Sequence, residues 1–413
     1  MMDIRVEQGC PQCGAAVVLS ETDHLLVCPF CGSRNYLQAN GPSRYVLPMA
    51  GGVSSNGLLL APYLRFKGTI YLVTDQGIDH RVIDTTQAAN PVPGLPPSLG
   101  LRPQAMELRR IDPETGNRYL PQSIGANAIL EKAAAVGNLV TPGGEGFHHR
   151  AYIGENLSYI YLPLVARDHG LYDGVTDSRL ADLAELAGHP LQGRRHDEAW
   201  RVRFLATLCP QCGAGLQGEG DCQVMTCANC QTAWSFGAEG LSRVDWWLQP
   251  GDSTIPLYLP FWKVTAHIPA LSIYSFADFV ERTNQPFLPR PSWRERAMSL
   301  WIPAVKLRPK IFLQAARQAT LGQWRIKPLA GRVLPQLFPV TLAASEARQA
   351  VKLVLAAATA SPKRIYPFLP QVRLTGVMIQ LVYLPCVDKS HDWVQPDTGI
   401  TIGKNILRFG RSL

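Results

Sequence analysis

The six residues "CPQCGA" occur twice in the chain, at positions 10–15 and again at positions 209–214. Each copy opens a group of four cysteines with the spacing C-x2-C-x14-C-x2-C. The two groups are Cys10, Cys13, Cys28 and Cys31, and Cys209, Cys212, Cys227 and Cys230. Two residues between cysteines allow both thiolates of a tight turn to point at one ion, and a second such turn completes a tetrahedral shell. The sequence therefore predicts two metal sites.

These motifs, "CPQCG…CPFCG" and "CPQCG…CANC", resemble the knuckles of the zinc-ribbon superfamily. The resemblance implies small hairpins held by Zn²⁺, with two ions per chain and no open coordination position for a catalytic water. In the first ribbon, the apolar residues 17–19 and 25–27 predict two paired strands joined by a polar tip. Iron in a rubredoxin-like site is the alternative. Zinc is favoured because rubredoxin knuckles lie much farther apart than these.

The likeness between the two halves extends beyond the ribbons, because five short matches follow in the same order. Three of them are "APYLRFKGTI" (61–70) with "LPFWKVTAHI" (259–268), "RYLPQ" (118–122) with "RVLPQ" (332–336), and "YLPLVARDH" (161–169) with "YLPCVDKSH" (383–391). We expect an internally duplicated α+β protein. Each half would be a four-cysteine ribbon followed by a mostly antiparallel β body with peripheral helices. The predicted boundaries are ribbon 1 at 1–40, body 1 at 41–190, a linker at 191–205, ribbon 2 at 206–245 and body 2 at 246–413.

Local patterns predict the main elements of the bodies. Runs rich in aromatic and β-branched residues predict strands at 63–73, 159–165, 258–268 and 380–387. Helices are predicted at 128–136 and 343–358. A further helix is expected after an Asp177 or Ser178 cap, with Leu180, Leu183 and Leu186 on one side.

The two halves differ in charge. Residues 1–205 hold 18 Lys and Arg against 20 Asp and Glu, whereas residues 206–413 hold 22 against 12. Between Arg290 and Arg373, 15 basic residues face only Glu295 and Glu346, and aromatic residues are interleaved with them. Such a region attracts anionic partners, although a solvated basic face over core aromatics is equally consistent with the pattern. The candidate partner-binding residues are Arg294, Arg296, Lys306, Arg308, Lys310, Arg325, Lys327 and Arg332.

These features favour a non-enzymatic, zinc-binding adaptor or scaffold that engages an anionic macromolecule, first of all a protein, through its basic second half. A nucleic-acid-binding protein is the first alternative, because aromatic residues beside basic ones can stack on nucleobases. An anionic membrane surface would satisfy the same charge, and a rubredoxin-like electron carrier is the further alternative. Neither an enzyme nor a small-molecule substrate is indicated, since phosphate loops, G-x-S-x-G turns and H-E-x-x-H helices are missing from the sequence.

The remaining chemistry-bearing residues predict less. Paired cysteines at metal-ligand spacing, with no secretory signal and no run of 18 apolar residues, predict a cytoplasmic protein. His169 and His391 follow matched strands and fit either a shared polar turn, which is favoured, or a catalytic or ligand pair. Cys222 is an unmatched thiol that could compete as a fifth ligand, and Cys386 is expected to be a buried, small apolar residue.

Overall fold

The computed structural model describes residues 4–51, 57–125, 131, 146–189, 191–237, 240–252 and 255–410. The fold is mixed α+β, with mostly strands and few helices. The chain divides into two compact units. Unit 1 comprises Met1–Lys67, Ile83–Asn138 and Glu155–Ala206, and unit 2 comprises Gly68–Val82, Leu139–Gly154 and Thr207–Leu413.

The elements of the first half are, in chain order, β1 (Arg5–Gly9), β2 (Ala16–Ser20), β3 (Leu25–Val27), β4 (Arg34–Gln38), β5 (Ser43–Val46), β6 (Leu59–Thr74), β7 (Gly77–Ala88), α1 (Arg102–Ala105), β8 (Glu107–Arg110), β9 (Arg118–Tyr119), β10 (Phe147–Arg167), β11 (Gly170–Asp173), β12 (Arg179–Asp182) and β13 (Arg203–Ala206).

The elements of the second half are β14 (Val224–Thr226), β15 (Ala233–Gly237), β16 (Gly240–Val244), β17 (Trp246–Leu248), β18 (Leu257–His267), α2 (Phe276–Arg282), β19 (Ser299–Pro303), α3 (Pro309–Gly322), β20 (Leu329–Ala330), α4 (Ala344–Ala358), α5 (Pro362–Ile365), β21 (Thr375–Lys389), β22 (Asp392–Val394), β23 (Thr401–Gly403) and α6 (Lys404–Phe409).

Unit 1 is built on a large mixed sheet with the strand order β12-β11-β10-β5-β8-β1-β2, which β6 joins through β10. Its core includes Tyr45, Tyr63, Ile160 and Leu162, all 0–1% exposed. A second sheet in the order β13-β4-β3 lies in the first ribbon. Antiparallel pairs dominate, but β10 runs parallel to β5 and β1 runs parallel to β8.

Unit 2 has a main sheet in the order β19-β18-β21-β17-β20, and β14-β15-β16 form the sheet of the second ribbon. The amphipathic helices α3 and α4 pack on this unit's core through alanine-rich faces that include Ala316, Ala319 and Ala350. Helix α2 begins at a capping box in which Ser275 and Asp278 each accept a hydrogen bond from the other's backbone amide.

Three long strands contribute to both units. Strand β6 supplies residues 59–67 to unit 1 and 68–74 to unit 2, and β7 and β10 are divided in the same way. Within unit 2, the Tyr71 and Ile153 side chains of β6 and β10 are buried in the core. The division therefore runs through the predicted body 1 (41–190).

The strand predictions at 63–73, 159–165, 258–268 and 380–387 are confirmed by β6, β10, β18 and β21, and the helix prediction at 343–358 by α4. The helix predicted at 128–136 lies outside the described residues. The helix predicted after Asp177 or Ser178 is wrong, because residues 179–182 form the edge strand β12 against β11 and turns follow.

The hairpin predicted for the first ribbon is also wrong. Strand β2 pairs with β1, and β3 pairs with β4, so the two apolar runs lie in different sheets. Strand β2 thus pairs across the first knuckle, and β3 pairs across the second. The two apolar runs contact each other only through side chains, which pack in one small cluster.

Candidate metal centres

All four cysteine knuckles share one backbone geometry. In each, the amide of the first cysteine donates to the carbonyl five residues on, and the amide four residues on donates to the first cysteine's carbonyl, at 2.8–3.0 Å. The residue that closes each turn has a positive φ: 75° at Gly14, 72° at Gly32, 73° at Gly213 and 58° at Gln231. Glycine tolerates this conformation without steric cost, so Gln231 needs other contacts to hold it.

The eight predicted ligands gather into two groups of four thiols, within each of which all sulfur atoms lie within 4.8 Å of one another. In the first group, the Sγ–Sγ distances are 3.7 Å for Cys10 with Cys31 and for Cys13 with Cys28. In the second group they are 3.5 Å, for Cys209 with Cys230 and for Cys212 with Cys227.

These separations fit a four-thiolate metal site. A tetrahedral ion with metal–sulfur bonds of about 2.3 Å holds its sulfurs roughly 3.8 Å apart. A disulfide would need about 2.05 Å, so the spacing excludes paired cystines in this conformation. Two thiols of each group are buried, and the others are exposed or half-buried, which places both sites at the edge of the protein.

Each site carries one hydroxyl group that the ligand prediction omitted. The Ser33 hydroxyl lies 3.1 Å from the Cys31 sulfur and 3.4 Å from the Cys10 sulfur. The Thr232 hydroxyl lies 3.0 Å from Cys230 and 3.6 Å from Cys209. Both lie two residues after the last cysteine of the second knuckle, so comparing the two ribbon sequences at that position could have identified them.

The hydroxyl groups favour the thiolate form that a metal requires. Hydrogen bonding from Ser33, with the knuckle amides, lowers the pKa of Cys10 to about 6. Burial raises the pKa of Cys209, but Thr232 and the backbone amides outweigh it and lower that pKa to about 6. In the same groups, burial and the neighbouring thiols raise the pKa of Cys13 to about 12 and that of Cys227 to about 11. Each centre therefore combines easily ionised thiols with thiols that lose their protons only when a cation binds.

The first site belongs to a small cluster of its own. Cys10 and Cys28 pack with Leu19, Leu26 and other apolar side chains of the ribbon. Strand β13 completes this ribbon by pairing with β4, and its Phe204 side chain packs on the cluster. Residues 203–205, predicted as linker, are thus the third strand of the first ribbon's sheet.

The second site is joined to the core of its unit. The Gln231 side chain accepts a 2.6 Å hydrogen bond from the Val333 amide, and the Gln231 carbonyl accepts one of 3.0 Å from the Trp246 indole. Ala233 and Trp246 are buried in the main core of unit 2. These contacts hold Gln231 in the conformation that glycine adopts in the other knuckles.

Of the eight predicted partner-binding side chains, Lys310 lies in α3 and the other seven lie in loops and turns of unit 2. The exposed members are Arg294, Arg308, Lys310, Arg325, Lys327 and Arg332, and the half-buried members are Arg296 and Lys306. Within the described part of the chain, Arg294 forms an ion pair with Glu281 at 2.8 Å, and Arg296 donates to the Gln323 carbonyl at 2.7 Å. The expectation that all eight share one face stays a prediction.

Two arginine side chains that line one cleft with Arg325 were not among the predicted partner-binding residues. Arg290 and Arg317 line the same cleft in unit 2 as Arg325 does. Both belong to the basic segment already recognised, but only the packing of α3 against the preceding loop brings them together.

Most aromatic residues of the basic segment are core residues. Trp301 and Phe312 are each 2% exposed, Tyr366 is 5% exposed and Trp293 is 7% exposed, whereas Trp324 and Phe338 are half-buried. Base stacking needs an accessible ring face, so this burial weakens the argument for nucleic acid.

The remaining candidates are two histidines in turns and two buried cysteines. His169 and His391 are exposed residues in the tight turns after β10 and β21, as a shared polar turn requires. Cys222 is buried outside the four-thiol groups. Cys386 is 1% exposed, as expected, and burial raises the pKa of its thiol to about 12.

Comparison of the chain with protein-family models, with curated proteins and with solved structures finds no match in any of the three. Within the described residues, none of the helices combines the length and apolar character needed to cross a membrane.

Proposed function

We propose that the protein is a non-enzymatic adaptor or scaffold that contains two structural zinc ribbons and engages an anionic protein through its basic second half. The observation that supports this most is the exposed and largely uncompensated charge of unit 2. Of the eight predicted side chains, six are exposed, and Arg294 alone has an ion pair within the described residues. Unpaired surface cations contribute little to stability, so a partner is the better reason for their concentration.

The start of α3 supports the same conclusion. Arg308 and Lys310 flank its first residue, and its first turn holds no acidic side chain. The helix macrodipole disfavours cations at this end, so they are poorly placed for stabilising the helix. Together with the dipole they raise the positive potential that an approaching anion meets.

The metal is proposed to be zinc, bound as a structural ion at both centres. Four thiolates fill a tetrahedral shell, which leaves no position for substrate or water. Because the ligands must stay reduced, the proposal also places the protein in the cytoplasm. Metal analysis of freshly prepared protein should give about two zinc ions per chain and no iron. A red sample containing ferric iron would instead favour the electron carrier.

Internal duplication is part of the proposal, and the strand pairings support it. Pro62 in β6 and Pro260 in β18 occupy matching sequence positions, and β6 and β18 pair with β10 and β21. Those partners carry the next matched prolines, Pro163 and Pro385, and each runs parallel to the strand that follows a ribbon, β5 or β17. We propose that two copies of a ribbon-plus-body ancestor diverged, and that the second acquired the anionic partner.

The proposal is tested with a four-fold charge reversal, Arg308→Glu, Lys310→Glu, Lys327→Glu and Arg332→Glu. Reversing four exposed arginines of unit 1 provides the matched control: Arg194→Glu, Arg195→Glu, Arg201→Glu and Arg203→Glu. Poly-glutamate, single-stranded and duplex oligonucleotides, and phosphatidylserine vesicles serve as the anionic probes. We expect poly-glutamate binding that falls steeply with salt and is lost only in the unit 2 variant. Tighter binding of oligonucleotides would favour the nucleic-acid alternative, and wild-type protein that binds no probe at low salt would contradict the proposal.

A further inference from the structure

A cleft of about 880 Å³ in unit 2 combines guanidinium groups with apolar side chains. We call it the arginine cleft and define it by Phe287, Leu288, Arg290, Arg317, Trp324 and Arg325. Arg317 comes from α3, Arg325 from the turn that follows α3, and Arg290 from the loop after α2. The lining residues, all described, include no Asp or Glu, so the site has a strong preference for anions.

Aromatic rings hold two of the guanidinium groups in place. The Arg290 guanidinium lies 4.6 Å from the Trp324 ring centroid and 5.5 Å from that of Trp293. The Arg325 guanidinium lies 4.7 Å from the Trp324 ring and also donates a 2.9 Å hydrogen bond to the Asp397 carbonyl. Because these groups are already ordered, binding an anion costs less side-chain entropy than it would at mobile surface arginines.

The cleft also presents apolar surface beside its charges. Leu288 is 89% exposed and Phe287 is 38% exposed, although both are large apolar residues. The Phe287 ring packs edge-on against Trp293, with 6.1 Å between centroids. An exposed apolar patch next to ordered arginines resembles the anchor of a protein interface, where buried aromatic, aliphatic and arginine contacts supply most of the affinity.

We propose that the arginine cleft binds an acidic peptide segment of a partner protein, with an apolar side chain on Phe287 and Leu288 and carboxylates on Arg290 and Arg317. This inference rests on the proposed adaptor function and names the site and the ligand chemistry. Two observations favour peptide over nucleic acid. The Trp324 ring already contacts two guanidinium groups, and Trp293 is only 7% exposed, so neither ring is available for stacking a base. A phosphate backbone also offers nothing apolar to Leu288.

The test measures fluorescence anisotropy with a labelled peptide in which glutamates alternate with leucines. A second peptide has serine in place of leucine, a third has glutamine in place of glutamate, and an oligothymidine serves as the nucleic-acid probe. The cleft variant is Arg290→Ala with Arg317→Ala. Its matched control, Arg348→Ala with Lys363→Ala, removes the same charge from exposed residues of unit 2 that do not line the cleft. Circular dichroism and metal content establish that each variant is folded.

We expect the cleft variant to raise the Kd for the acidic leucine peptide by about tenfold or more, as the loss of two charge-assisted contacts predicts. The control variant should change it less than about threefold. Leu288→Ser should weaken binding of the leucine peptide and leave the serine peptide unchanged. If the cleft and control variants lose the same affinity for the acidic leucine peptide, the arginine cleft is not the binding site. If oligothymidine binds more tightly than the peptide, and this binding is lost in the cleft variant, the ligand is nucleic acid and not an acidic peptide. If polyanion binding persists in the cleft variant but is lost on the four-fold reversal, the adaptor function stands without this site.

Discussion

A single hydroxyl beside the thiols of each ribbon distinguishes these sites from a bare set of four cysteines. Ser33 and Thr232 stand at the same position of the second knuckle, and each contacts two sulfur atoms of its site. Groups that hydrogen-bond to metal ligands orient them and tune their basicity, and their removal typically weakens metal binding. We therefore expect the metal affinity of each site to depend on a residue outside its four cysteines.

Ser33→Ala is expected to weaken binding of the proposed zinc ion at the first site by about tenfold to 100-fold, because the Cys10 and Cys31 sulfurs lose the hydroxyl group that both contact. Competition with a chromophoric chelator measures this, and the unaltered second site in the same chain is the control. Unchanged affinity at the first site would show that the hydroxyl has no part in holding the metal.

His149 gives unit 2 a dependence on pH that is independent of the metal. Burial, and secondarily the charge of Lys352, lower the pKa of His149 to about 4. The unfolded chain takes up a proton below about pH 6.5, whereas the folded state stays neutral until about pH 4, so stability is lost as pH falls through this window. At about pH 5 this amounts to roughly 1 to 2 kcal/mol.

His149→Leu should therefore reduce the loss of unfolding free energy between about pH 7 and pH 5 by roughly 1 to 2 kcal/mol relative to wild type. Urea denaturation at both pH values measures the difference, and any acid-induced metal release is common to both proteins. Identical pH dependence in the variant and wild type would mean that His149 is as easily protonated in the folded protein as in the unfolded chain.

At the scale of elements, the fourth knuckle shows how tertiary contacts replace a glycine. Gln231 has a φ of 58°, yet it closes the same turn as Gly14, Gly32 and Gly213. Left-handed backbone costs a residue with a side chain about 1 to 2 kcal/mol, and the hydrogen bond from the Val333 amide offsets part of that cost. This knuckle is therefore stabilised by a distant segment of unit 2 as well as by its own turn.

We expect Gln231→Ala to be about 1 kcal/mol less stable than Gln231→Gly, because both lose the contact with Val333 but only alanine keeps the left-handed strain. Gly213→Ala, at the equivalent position of the other knuckle in this ribbon, should show a similar cost relative to wild type. Chemical denaturation of metal-loaded protein measures these differences. Equal stability of the two Gln231 variants would contradict the strain argument.

Strands and helices that follow from a long apolar run could be predicted from the sequence. Those that depend on pairing with another strand could not. The runs within β6, β10, β18 and β21 are buried over most of their length, so composition alone marks them as strands. The leucines at 180, 183 and 186 match helical spacing, but Leu180 lies in β12, which pairs with β11. Strand β13 has no local signal for its role, because its partner β4 is more than 160 residues away in the chain.

The candidate sites differ in the same way, because one kind depends on local sequence and the other on tertiary packing. The eight cysteines were predictable because their spacing is a local property of two turns, and the structure gathers all of them. The arginine cleft was not, since Arg290, Arg317 and Arg325 share no spacing pattern and meet only when α3 packs in unit 2.

At the scale of the whole molecule, the two ribbons are attached to their units in different ways. The thiol cluster of the first ribbon, with Cys10, Cys28 and Leu26, is separate from the main core of unit 1. In the second ribbon, Val224 and Ala233 are part of the main core of unit 2, and the Gln223 amide donates to the Val340 carbonyl at 2.7 Å. Loss of metal should therefore have different consequences at the two sites.

Cys13→Ser and Cys212→Ser each remove one exposed ligand and should each leave about one zinc ion per chain. For Cys13→Ser, we expect faster amide hydrogen exchange in β3, β4, β13 and the first pair of knuckles, with β6 and β10 still protected. For Cys212→Ser, the loss of protection should extend from β14 and β15 into β18 and β21, because those strands share one core with the ribbon. Hydrogen exchange followed by mass spectrometry resolves these segments, and each variant is the control for the other. If both variants loosen only their own knuckles, the second ribbon is no more integrated than the first, and the buried contacts of Gln231, Ala233 and Trp246 do not couple the metal to the fold of unit 2.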